Sequence, residues 1–181
     1  SAVNLLSEVK HMQLDFHQVD AFADKPFAGN PAMVYRLDTW LADELMQNIA
    51  AEHNLPETAF LVKEGSHWRI RWFTPNNEVA LCGHATLAAA KVLFDVYDQP
   101  GQQIDFTCKS GELAVTREDQ LLVLDFPALT AHPLPVNLDL EQALGVSVIN
   151  AMVADKLLVV LDSEHSVRNC SPNFSELARL P

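Results

Sequence analysis

Three places in this chain of 181 residues carry side chains whose types and settings suit proton or thiol chemistry. Glu57 stands between Pro56, which ends a helical pattern, and the apolar run from Thr58 to Val62. A carboxylate there is partly desolvated, a setting that suits a group required to take up a proton and give it back. The plainer alternative is a solvent-facing Glu at a strand start. Cys82-Gly83-His84 opens an almost wholly apolar stretch. Helix N-termini present unpaired amides and the positive end of a dipole, so they attract carboxylates and favour thiolate over thiol. Gly83 lets backbone and ligand approach closely. Three readings of this triplet stand open: a thiolate or imidazole that moves protons, a Cys nucleophile paired with His, and a buried Cys beside a capping His. Asn30, in Gly-Asn-Pro, is either ordinary turn chemistry or an amide held rigidly enough to bind a carboxylate.

Other chemistries have little support. His17, His53, His67 and His84 are scattered, and Cys-x-His at 82–84 lacks a second ligand pair, so no metal centre is expected. The six glycines form no phosphate-binding fingerprint.

The elements that must position these residues follow from hydrophobic period and turn residues. Residues 13–22 alternate as a strand, and a loop holding Pro26, Gly29 and Pro31 leads to a short strand around Ala32–Tyr35. Residues 38–54 form an amphipathic helix, capped by Asp38 or Thr39 and ended by Asn54 and Pro56. Residues 58–62 and 67–74 are strands. In the second, Trp68, Ile70, Trp72 and Thr74 share one face, and Arg69, Arg71 and Phe73 the other. A helix over 84–97 is apolar nearly all round, which marks burial on most sides. Three hairpin-linked segments then imply antiparallel strands wrapped around it. After Phe126 a proline-rich stretch reads as a linker. A helix at 138–145, strands near 149–153 and 156–162, and a helix within 171–180 follow.

Composition narrows the class. Acids outnumber bases 24 to 12, and a net charge of −12 argues against nucleic-acid or anionic-membrane partners. Although 49% of residues are apolar, His84 and Lys91 interrupt the longest apolar segment before it reaches membrane-spanning length. Cys82, Cys108 and Cys170 are odd in number and fit free thiols in a reducing, cytoplasmic compartment. Ser1 to Met12 reads as a cloned leader.

Taken together, "VDAFADKPFAGNPAMV" (19–34), "LPETAFLV" (55–62) and "RWFTPNNEVALCGHATLAAAKVL" (71–93) resemble, in order and spacing, phenazine-biosynthesis PhzF-like proteins. The resemblance implies an α+β fold of the diaminopimelate epimerase type, in which each of two lobes wraps an antiparallel, barrel-like sheet around a central helix. Residues 13–127 would be the first lobe and 128–181 part of the second. It implies an isomerase that needs no cofactor and moves a proton on a small carboxylate-bearing metabolite. Glu57 would be the catalytic acid/base, and Asn30, Gly83, His84 and Ala85 would line the substrate pocket between the lobes. His84 would orient a carboxylate or act as a secondary proton carrier. Cys82 matches a position that supplies one of two opposed bases in related epimerases and racemases, where many PhzF-like members carry a small non-thiol residue. Family members are often homodimers.

One departure limits the resemblance. The family's second lobe carries another glycine-containing helix start, typically in Thr-Gly-Ser, whereas the only glycine after residue 127 here is Gly145. The expectation is that this chain alone is inactive. The alternative function is a non-catalytic lobe that binds a small molecule or a protein. A weaker one is a Cys82-dependent thiol enzyme.

Overall fold

The computed structural model describes residues 12–25, 27–126 and 128–180. The expected leader lies, but for Met12, outside the described residues. Two compact units divide at Phe126.

The first unit contains β1 (Phe16–Ala21), β2 (Asn30–Leu37), α1 (Asp43–His53), β3 (Glu57–Glu64), β4 (His67–Phe73), β5 (Glu78–Val79), α2 (Gly83–Asp95), β6 (Gln103–Cys108), β7 (Gly111–Glu118) and β8 (Leu121–Asp125). The sheet runs β1-β2-β3-β4-β6-β7-β8, with β5 added to the end of β4. It curls around α2, which touches β1, β2, β3, β7 and β8, giving the expected α+β arrangement of a barrel-like sheet on a central helix. Most strand pairs are antiparallel, including the β6-β7-β8 meander, but β2 with β3 and β4 with β6 are parallel. A parallel neighbour requires a crossover, and α1 and α2 supply the two crossovers.

Strand alternation divides the apolar residues between two cores. Ala32, Val34, Ala59, Leu61, Trp68, Ile70 and Trp72 face α2, where Ala85, Ala88, Ala89, Val92 and Leu93 complete the packing. Met33, Tyr35, Leu37, Phe60, Val62 and Phe73 face the other way and meet Met46 and Ala50 of α1. This explains the composition of α2. A helix enclosed by a curled sheet has little wet surface, and only Lys91 and Asp95 are exposed on it. They pair at 2.7 Å, and Arg117 of β7 reaches Asp95 at 2.6 Å.

Helix α1 differs from expectation at its start. It begins at Asp43 after Ala42, with no side-chain cap, so neither Asp38 nor Thr39 serves. Asp43 and Glu44 in the first turn offset the exposed amides instead. At its end Asn54 adopts the left-handed conformation (φ 50°), as its short polar side chain tolerates.

The second unit holds β9 (His132–Leu134), α3 (Leu138–Leu144), β10 (Asn150–Val153), β11 (Leu157–Val160), α4 (Glu164–Asn169) and α5 (Phe174–Leu177). Its sheet order is β11-β10-β9. The stretch expected as a linker therefore contains a strand. Pro133 fits there because β9 is an edge, where a missing amide breaks no ladder bond. Among the described residues no helix is long and apolar enough to cross a membrane.

Candidate active site

Glu57 is the first residue of β3, and its Cα partner in β2 is Ala32. It shares a strand face with Ala59 and Leu61, so it lies on the α2 side of the sheet. The start of α2 returns to the same place through β4 and β5. Thr58 pairs with Phe73, and Phe73 pairs with Glu78 across a tight turn. Thr74 sets that turn: its amide donates to the Asn77 carbonyl at 2.9 Å, and its hydroxyl accepts from the amides of Asn76 and Asn77. Arg71 then locks β5, donating to Glu78 at 2.8 and 2.9 Å and to Asp43 at 2.8 Å. Arg71 and Lys109 together hold the Glu78 carboxyl below its ordinary range. Three residues after β5 ends at Val79, the chain reaches Cys82.

Cys82 is the N-cap of α2, in extended conformation and without a side-chain cap bond. No acidic residue occupies the first turn. The amides of Gly83, His84 and Ala85 are thus the unpaired donors of this helix start. His84 is buried, and its side chain is 9% exposed. Its Nε2 lies 3.3 Å from Glu57 Oε2 without the alignment of a hydrogen bond. Its Nδ1 lies 3.5 Å from Cys82 Sγ. Thiol, imidazole and carboxylate therefore follow one another at the mouth of the helix. One ligand atom from each lies within 4.8 Å of the others, so these three could also hold a metal ion. Glu57 keeps 20% of its side chain exposed, which leaves the group open to solvent on that side.

The remaining sequence candidates are less closely engaged. Asn30 opens β2 on the face shared with Ala32 and is half-buried, with no hydrogen bond to Glu57 or His84. Gly29 before it has φ +83°, and a Cβ there would meet the Ala21 carbonyl at 2.3 Å. The side chain of Ala85 is fully buried in the α2 core, so only its amide faces the helix start. Gly83 has an ordinary backbone, and its lack of a side chain makes room for Phe126, whose Cε2 would lie 3.1 Å from a Cβ.

Sequence reasoning missed two supporting residues. Phe126 continues the face of Leu122 and Leu124, so the alternation of β8 was a signal for it. Thr86 is fully buried and donates from Oγ1 to the Cys82 carbonyl at 2.5 Å, which fixes the N-cap. A Thr four residues after an N-cap is a weak signal for that bond.

The family model for phenazine biosynthesis-like protein matches residues 19–181. An uncharacterized isomerase of Pseudomonas aeruginosa is 64% identical over 171 residues, covering 94% of this chain and 66% of that protein. A second uncharacterized isomerase of the same organism is 48% identical, with 94% and 66% covered. The crystal structure of a phenazine biosynthesis protein of the PhzF family from Enterococcus faecalis superposes with a TM-score of 0.88 at 46% identity, covering 94% of this chain and 65% of that one. The chain thus spans about two thirds of the length of these three proteins.

Proposed function

The chain belongs to the phenazine biosynthesis-like protein family, and from that premise we propose that it carries the acid/base half of an isomerase acting on a small carboxylate-bearing metabolite. The observation that carries this reading is the contact of Glu57 Oε2 with His84 Nε2, 3.3 Å apart, at an uncapped helix start. Glu57 takes a proton from a carbon next to a carboxylate or conjugated group. The negative charge that develops is met by the amides of Gly83, His84 and Ala85, which are fixed before the reaction begins. His84 orients the substrate carboxylate, and Glu57 returns the proton to another carbon. The isomerase names of the two Pseudomonas relatives agree with this chemistry.

The experiment is solvent exchange. A panel of small unsaturated and amino acids is incubated in D2O with the full-length protein, and deuterium incorporation is read by NMR. The proposal expects incorporation with the natural protein and none with Glu57→Gln, while binding persists. Incorporation by Glu57→Gln at the natural rate overturns it.

A second reading draws on the 3.5 Å spacing of Cys82 Sγ and His84 Nδ1, which is that of an activated thiol. Burial of Cys82 counts against it. Iodoacetamide labelling of Cys82 faster than a free cysteine at neutral pH supports a thiol enzyme, and ordinary reactivity removes it.

A further inference from the structure

We propose that Glu57, Cys82 and His84 form a binding site for one thiophilic divalent metal ion of the zinc type. Spacing along the chain hides this set, because Glu57 arrives from β3 while the other two open α2. In the fold, one ligand atom of each lies within 4.8 Å of the others. Independently, among the described residues His84 Nε2 is a buried nitrogen with no hydrogen-bond partner, on a side chain only 9% exposed, and it lies 3.3 Å from Glu57 Oε2 without the alignment of a hydrogen bond. A buried polar atom left in that condition is costly unless a further group completes it.

The dimensions suit a tetrahedral ion. Zinc bonds of about 2.0–2.2 Å to N or O and about 2.3 Å to S separate N from O by roughly 3.3 Å and S from either by roughly 3.6 Å. Glu57 Oε2 and His84 Nε2 already stand at 3.3 Å. Cys82 Sγ lies nearer the other ring nitrogen, at 3.5 Å, so rotation about its single side-chain torsion is needed to bring it round. The exposed side of Glu57 leaves a fourth position for water. A thiolate with an imidazole and one carboxylate selects zinc or cobalt over magnesium and calcium, which prefer oxygen alone. Binding releases the thiol proton to solvent as the S–metal bond forms, so affinity falls as pH is lowered. An ion held here occupies the carboxylate that proton transfer requires. That consequence, a reversible block by zinc, rests on the function proposed above; the binding does not.

The test is titration of the intact chain with Co2+ under anaerobic conditions, read by absorbance rather than turnover. The site predicts a thiolate-to-cobalt band in the near ultraviolet and four-coordinate bands in the visible. Both should saturate at one ion per chain and be displaced by Zn2+. They should survive in Cys108→Ser/Cys170→Ser, vanish in Cys82→Ser, and require at least about tenfold more metal in Glu57→Gln. Circular dichroism checks that each variant is folded. Absence of the band in the natural chain, its persistence in Cys82→Ser, or unchanged affinity in Glu57→Gln overturns the proposal. Because no step of catalysis is measured, failure here is distinguishable from failure of the isomerase reading.

Discussion

Replacing Glu78 by Gln tests how the fold delivers the start of α2. Glu78 is 15% exposed at its side chain and accepts two charge-assisted hydrogen bonds from Arg71, at 2.8 and 2.9 Å, with Lys109 as a further partner. A bond to a charged group contributes about 1.5–3 kcal/mol net, while an exposed ion pair contributes about 0–1. Gln keeps one acceptor, and Arg71 keeps Asp43 and its stacking on Trp40 and Phe73. The expected loss is therefore about 2–3 kcal/mol, below the about 3–5 of a fully buried broken pair. Trp40, Trp68 and Trp72 are the three tryptophans of the chain and all lie in the first unit, so their fluorescence in urea reports that unit alone. With a slope near 1.5 kcal/mol per M, the midpoint should fall by about 1–2 M. The pH dependence has a definite sign. Hydrogen bonds from Arg71 come first among the groups that lower the Glu78 pKa from its ordinary 4.5. A carboxyl whose folded pKa is depressed adds stability above its unfolded value and loses it as pH falls through the folded one. The gap between natural protein and variant should thus be full near neutrality and close progressively below about pH 4.5. A gap under about 0.5 kcal/mol, or one that does not change with pH, would refute the account of Arg71 as the lock on β5.

Other substitutions separate backbone, packing and capping. Gly29→Ala should cost about 2–4 kcal/mol in the same urea assay, because φ +83° and the Ala21 carbonyl at 2.3 Å leave no relaxed place for a Cβ. A loss under about 1 kcal/mol would show that the turn before Asn30 rearranges freely. Gly83→Ala should stay within about 1 kcal/mol of the natural protein, since helix propensity gains about what displacing the Phe126 ring costs. The ring resonances of Phe126 should nevertheless shift in NMR, and unchanged resonances would contradict the close packing. Thr86→Val removes the bond to the Cys82 carbonyl and should lower stability by about 1 kcal/mol; a stabilising effect would show that this bond does not support the N-cap.

Sequence patterns were informative wherever one period governed an element. The alternation of β4 placed Trp68, Ile70 and Trp72 on one face and Phe73 on the other, and these are the two cores. The all-round apolar character of α2 announced a helix inside a curled sheet. Patterns failed where tertiary context decided. Helix α1 starts at Asp43 rather than near Asp38, and its first turn carries acids in place of a cap. Strand β9 hides in a proline-rich stretch because its edge position tolerates Pro133. The two-residue β5 is too short for any period. At the site, Glu57 and His84 were each visible as candidates, but their contact depends on the register of β3, β4 and β5, which no local pattern specifies. Phe126 acts through the space left by Gly83, and that relation exists only in three dimensions.

The most direct test of Glu57 as the proton carrier follows the proton itself. A substrate found by the exchange screen is labelled with deuterium at the carbon that loses its proton, and is turned over in ordinary water by the full-length protein. A single carboxylate that takes and returns the proton predicts that part of the label reappears in the product at the new carbon. It also predicts no product with Glu57→Gln and unchanged label transfer with Cys82→Ser. A product carrying only solvent hydrogen, formed by Glu57→Gln and lost in Cys82→Ser, would contradict the account and assign the chemistry to the thiol.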